Sequence, residues 1–90
     1  MTELEELTTV LAAAGPAHHA AYIETDGYDP EWPLWYANHV AADVRRILER
    51  PDLTVSRLVW AFVEADRSHR SEAPDVPWPR FYAERFATEL

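Results

Sequence analysis

The apolar residues of this chain recur mostly every three or four positions, and each such stretch sits behind a residue that can start a helix. Leu4, Leu7, Val10, Leu11 and Ala14 follow Thr2, which with Glu5 matches a capping box. Gly15-Pro16 interrupts that stretch. Proline lacks the N–H and crowds the preceding turn, so the pattern predicts a stop or kink, with "PAHHAAYIET" restarting the helix. "DGYDP" carries turn chemistry. Asp29 is then the expected cap of a helix with Pro30 at its first position, running to about Glu49, where Arg50-Pro51-Asp52 breaks it. Thr54 is the next expected cap, with Leu53 and Leu58 placed for a hydrophobic staple and helical spacing to about His69. "SEAPDVPWP" contains three prolines and reads as a loop leading into a last helix over roughly Trp78 to Glu89. No run alternates long enough to predict a strand. The expectation is one all-α domain over residues 1–90, an antiparallel or orthogonal bundle of four to five helices.

Two of these helix starts say nearly the same thing. "DPEWPLWYA" stands at 29–37 and "DVPWPRFYA" at 75–83, and over 29–44 against 75–90 six of sixteen positions are identical. This pattern fits an internal duplication of a helix-starting cassette. Stepping residues by about 100° resolves each copy into two stripes. Tyr36, Val40, Val44, Ile47 and Leu48 form a core face in the first copy, matched by Tyr82, Phe86 and Leu90 in the second. Trp32, Trp35, His39, Asp43 and Arg46 form a second stripe, matched by Trp78, Phe81, Arg85 and Glu89. Four-residue spacing lets His39 meet Asp43 and Arg85 meet Glu89. The second stripe is either internal to the bundle or a docking surface. With Trp60, which falls opposite the core side of its helix, it supplies the candidate interaction surface: Trp32, Trp35, His39, Asp43, Trp60, Trp78 and Phe81. Trp60 either packs beneath the N-terminal helix or stays exposed for a partner.

Composition narrows the classes. A chain of 90 residues without cysteine has a thin core and no disulfide or thiolate site to reinforce it. Residues 1–44 carry eight Asp/Glu and no Lys or Arg, while residues 45–90 carry eight of each sign, so the net charge of −8 lies wholly in the first half. An acidic half of this kind disfavours nucleic acid, whose phosphates need clustered cations. No apolar run reaches the roughly 18 residues of a membrane span. "MTELEEL" is acidic where a signal peptide is basic, so the expected setting is the cytoplasm.

The candidate chemistry is sparse. His18, His19, His39, Asp66 and His69 are the residue types that first-row metals take, but their spacing matches no recognised metal motif. Adjacent His18 and His19 point about 100° apart on a helix, so a shared metal would need ligands from other helices. Asp66 and His69 extend the core side of their helix by one turn, either as its wet rim or as a buried polar pair. Such a pair alone does not make an active site. "RPDLTVSRLVWAF" only faintly suggests a DNA-reading helix, since Pro51-Asp52 stands where a small-residue turn is needed. "ETDGYDPE" lacks calcium-loop spacing and reads as a solvated turn.

"AHH" at 17–19, "DPEWPLWYA" at 29–37 and "WPRFYA" at 78–83 together resemble a group of small all-helical bacterial proteins. The resemblance implies an α fold and lends no activity, cofactor or catalytic residue. The sequence therefore leads to a non-catalytic helical protein without a cofactor. It would interact with a protein partner or with itself, as a homodimer, and not with nucleic acid or membrane. The alternative is a ligand- or metal-binding helical domain using His18 or His19, His39 and nearby carboxylates. Convergence of three or more His, Asp or Glu side chains on one cleft favours the alternative.

Overall fold

The computed structural model describes all 90 residues as four α-helices without strands: α1 Glu3–Ala21, α2 Trp32–Ile47, α3 Val55–Glu72 and α4 Trp78–Glu89. One 3-10 turn, Ile23–Thr25, follows α1. Each helix packs on its neighbours in sequence and α4 closes back on α1, so the four form a ring around one core. No helix is long and apolar enough to cross a membrane.

The expected caps are in place where they are local. Thr2 Oγ1 accepts from the Glu5 N–H at 3.1 Å, and Thr54 Oγ1 accepts from the Arg57 N–H at 3.0 Å. Each satisfies one of the N–H groups a helix leaves unpaired at its start, worth about 1 kcal/mol. Leu53 and Leu58 are both buried, as a staple requires.

Two expectations need correction. The helix does not stop at Pro16; α1 runs through it, which gives four helices and not five. Gly15 has no Cβ to clash with the proline ring, and Ala12, whose carbonyl loses its N–H partner, sits on the exposed side where water can replace it. The second correction concerns α2, which begins at Trp32 instead of Pro30. Pro33 cannot donate to the Asp29 carbonyl, and that carbonyl takes the Trp32 N–H instead, at 3.2 Å, closing a turn before the helix. Both Trp-Pro cassettes therefore start a helix in one way, with tryptophan first and proline second. The proline falls where a missing N–H costs nothing.

α2 ends at Ile47 through a Schellman closure. Arg50 N–H reaches the Arg45 carbonyl at 2.9 Å and Glu49 N–H the Arg46 carbonyl at 3.3 Å, with Glu49 in the left-handed region at φ 55°.

The core holds Leu7, Leu11 and Ala14 from α1, Val40 and Val44 from α2, Leu58 and Phe62 from α3, and Ala83 and Phe86 from α4, among others. Val40 and Phe86 are fully buried, as the core stripes predict, and Phe62 of α3 is fully buried with them. Tyr36 is only half-buried, because it stands where the core opens into a cleft.

Candidate functional site: an aromatic cleft where four helix ends meet

The starts of α2 and α4 and the ends of α1 and α3 converge on an open cleft of about 620 Å³. That volume lies within the range of small-molecule sites. Two helix N-termini and two C-termini meet here, so their dipoles oppose one another and the side chains set the local field.

The walls are aromatic. Trp32 and Tyr36 come from the first cassette and Trp78 and Tyr82 from the second. Their rings stand nearly perpendicular in succession: Trp32 to Tyr36 at 82°, Tyr36 to Trp78 at 84°, and Trp78 to Tyr82 at 68°, with centroids 6.0, 5.8 and 5.1 Å apart. These edge-to-face contacts hold the four rings together along the cleft lining. Phe62 lies beneath, 5.6 Å from Tyr36 and 6.1 Å from Tyr82.

Three polar groupings border the cleft. On the α1 side His18 and Asp29 are both buried, with Nε2 donating to Oδ2 at 3.1 Å. The His18 ring stacks on Tyr22 and on Tyr36, with Trp35 edge-on. Asp29 Oδ1 accepts from the Glu31 N–H at 3.0 Å. Burial alone would raise the Asp29 pKa, but the hydrogen bonds from His18 and Glu31 outweigh it and hold the carboxyl below its ordinary value. Asp29 is therefore an anion on the cleft wall. Burial, and then the Asp29 charge, push the Tyr22 hydroxyl up.

On the α3 side Asp66 accepts from the Tyr82 hydroxyl at 3.2 Å and pairs with Arg70 at 2.9 Å. Burial, and then the Asp66 charge, raise the Tyr82 pKa far above the usual phenol value, so Tyr82 stays a donor. Burial also raises Tyr36. His69 Nε2 donates to the Val76 carbonyl at 2.6 Å and ties the α3–α4 loop to the cleft rim. Every fully buried side-chain polar atom has a partner.

The second stripe is divided among different surroundings. Trp32 and Trp78 line the cleft. Trp35 is half-buried between His18 and His39, and the exposed His39 stacks on it at 4.7 Å. His39 does not engage Asp43, which pairs with Arg46 at 3.4 Å. Stacking on Trp35 turns the imidazole the other way along the helix. Phe81 lies 5.3 Å from His69 and beneath Arg85, which also reaches Glu89 at 3.5 Å and Glu72 at 2.7 Å. Trp60 is exposed on the outside of α3, with the Arg57 guanidinium 4.2 Å above its ring.

The metal candidates are not brought together: His18 pairs with Asp29, His19 approaches Asp26 at 3.8 Å, and His39 and His69 stand apart. No three His, Asp or Glu side chains come close enough to share an ion. Four such side chains, His18, Asp29, Asp66 and His69, nevertheless border one cleft. Asp29 and Phe62 are site residues that sequence patterns assign to other work, the one to a cap and the other to the core. Gly27 is a third: at φ 87° it approaches His19 so closely that a Cβ would lie 2.9 Å from Nδ1.

The chain is thus an all-α four-helix bundle with an aromatic, acid-bordered cleft at one end. Comparison with protein families, curated proteins and solved structures finds no match.

Proposed function

We propose that this protein is a small non-catalytic binding domain that takes an organic ligand in the cleft at the helix ends. One observation carries the reading. Two cassettes 46 residues apart in sequence deliver Trp32 with Tyr36, and Trp78 with Tyr82, to the walls of one cavity. A cavity of mostly aromatic lining with a few fixed polar groups is the usual form of a small-molecule site. His18 and Asp29 take the place of His39 in this reading, because His39 stacks on Trp35 and does not line the cleft.

The test is a heteronuclear NMR screen with neutral, cationic and anionic aromatic fragments. Saturable shifts of the Trp32 and Trp78 indole N–H signals, with the Trp32 shift lost in Trp78→Leu, support the reading. Shifts confined to Trp60, or none with any fragment, contradict it.

A second reading has its own observation. Trp60 and Val63 share the outer face of α3 and are 40% and 44% exposed. This face is a candidate for self-association as a two-fold dimer. Sedimentation equilibrium tests it: a wild-type dimer that becomes monomeric in Trp60→Ala supports it, and a monomer at all concentrations ends it.

A further inference from the structure

The geometry points to a methylated ammonium as the group this cleft receives; the inference rests on the ligand-binding reading and names its ligand class. Three features of the cleft converge on that chemistry.

The first is the arrangement of rings. Trp32, Tyr36, Trp78 and Tyr82 stand at near right angles around the cavity, with Phe62 beneath. The face of an aromatic ring carries negative electrostatic potential, and several rings around one space attract a cation, tryptophan most strongly.

The second is charge. The lining contains two carboxylates, Asp29 and Asp66, and no Arg or Lys. Arg70 pairs with Asp66 from outside the lining, so Asp29 supplies most of the local negative field. Asp29 is buried and its ionised form is held by the His18 and Glu31 hydrogen bonds. An anionic ligand would meet this carboxylate at short range with no cationic Arg or Lys in the lining to offset it. The opposed helix ends do not reverse that sign.

The third is hydrogen bonding. The Asp29 carboxylate accepts from the protein on both oxygens, from His18 and Glu31, and Asp66 accepts from the Tyr82 hydroxyl and is ion-paired with Arg70. The buried polar atoms are satisfied without a ligand. A primary ammonium or a guanidinium brings several N–H donors that lose water on entering and need acceptors there. A quaternary ammonium has no N–H to satisfy. It is recognised by aromatic rings and by field, and the lining of this cleft supplies both.

The head group can arrive on a free small molecule or on a methylated lysine side chain. Two arms of one experiment separate these sources: tryptophan fluorescence and NMR titration with choline, and with a peptide carrying trimethyllysine. The controls are ethanolamine and the uncharged carbon isostere of choline, in which a tert-butyl group replaces trimethylammonium. Choline or the peptide should saturate the Trp32 and Trp78 signals, and whichever binds more tightly identifies the source. The uncharged isostere should bind weaker by on the order of tenfold, the worth of a partly desolvated cation–π contact. Trp78→Leu and Asp29→Asn should each weaken binding, and Trp60→Leu, outside the cleft, should not. Trp78→Leu keeps the test independent of any folding defect in Asp29→Asn, and thermal melts identify such a defect.

An isostere that binds as well as choline overturns the cationic class while leaving the ligand-binding reading standing. Tighter binding of ethanolamine than of choline overturns the methylated class in favour of a hydrogen-bonding amine. Saturation by neither choline nor the peptide at millimolar concentration overturns the proposal. The ligand-binding reading then stands or falls on the fragment screen alone.

Discussion

The two cassettes share tryptophan, proline, tyrosine and alanine at matched positions but differ in what their acid and their tyrosine do. Asp29 is buried against His18, while its counterpart Asp75 is exposed. Tyr82 is buried with its hydroxyl on Asp66, while its counterpart Tyr36 is half-buried and stacked on the His18 ring, with no hydrogen-bond partner in the protein for its hydroxyl. The shared residues produce the shared structure: a helix that starts at tryptophan and turns its tyrosine toward Phe62. The divergent polar contacts come from the neighbours, α1 for the first copy and α3 for the second. Local sequence sets the helix start, and the opposing helix decides which groups are polar partners.

The largest effect comes from removing the floor the copies share. Phe62→Ala should destabilise the fold by ~3–5 kcal/mol in chemical denaturation. That is a large part of what a domain this small has. A loss below about 1 kcal/mol would mean that the two copies do not depend on a common floor.

Acid should separate the copies next. The Asp29 carboxyl lies below its ordinary value in the folded state, so it contributes stability that is present above the unfolded value, about 4. That contribution is lost as pH falls through the lowered folded value. Asp29→Asn should flatten this acid limb of stability, and Asp75→Asn should leave it unchanged. Equal acid limbs in both variants would remove the distinction.

Tyrosine gives a smaller contrast. Tyr82→Phe deletes a hydrogen bond to a carboxylate and should cost ~1–2 kcal/mol, while Tyr36→Phe should be close to neutral. Equal costs would show that the hydroxyl of Tyr36 also has a partner.

The helix ends differ as well. Glu49 closes α2 in the left-handed region, where a side chain is strained, while α4 ends one residue before the end of the chain. Glu49→Gly should raise stability by about 0.5–1 kcal/mol, read from the denaturation midpoint.

What could be read from sequence follows the range of the forces involved. The caps at Thr2 and Thr54 act over three residues, so spacing reveals them. Pro16 was expected to stop or kink the helix because the rule concerns the proline alone; the helix continues through it, with Gly15 before it and Ala12 on the exposed side. The repeat identified Trp32 and Trp78 as belonging together, but not that they face one cavity, since that depends on α4 closing onto α1. The His18–Asp29 pair joins a helix end to a turn 11 residues on. Asp29 was legible as a cap, and its first oxygen does serve the turn, but the partner of its second oxygen depends on the path of the chain between. Trp60 could equally have packed under α1. In the ring, α3 packs mainly on α2 and α4, and the outer face of α3 stays open.

The central claim is that both cassettes wall one ligand site. The most direct measurement follows the four tryptophan indole N–H signals during titration with a molecule bearing a trimethylammonium group. Trp32 and Trp78 should shift together with one shared saturation curve while Trp60 stays fixed, and Trp78→Leu should abolish the Trp32 shift. Trp32 and Trp78 responding with different curves, or Trp60 responding alone, would contradict it.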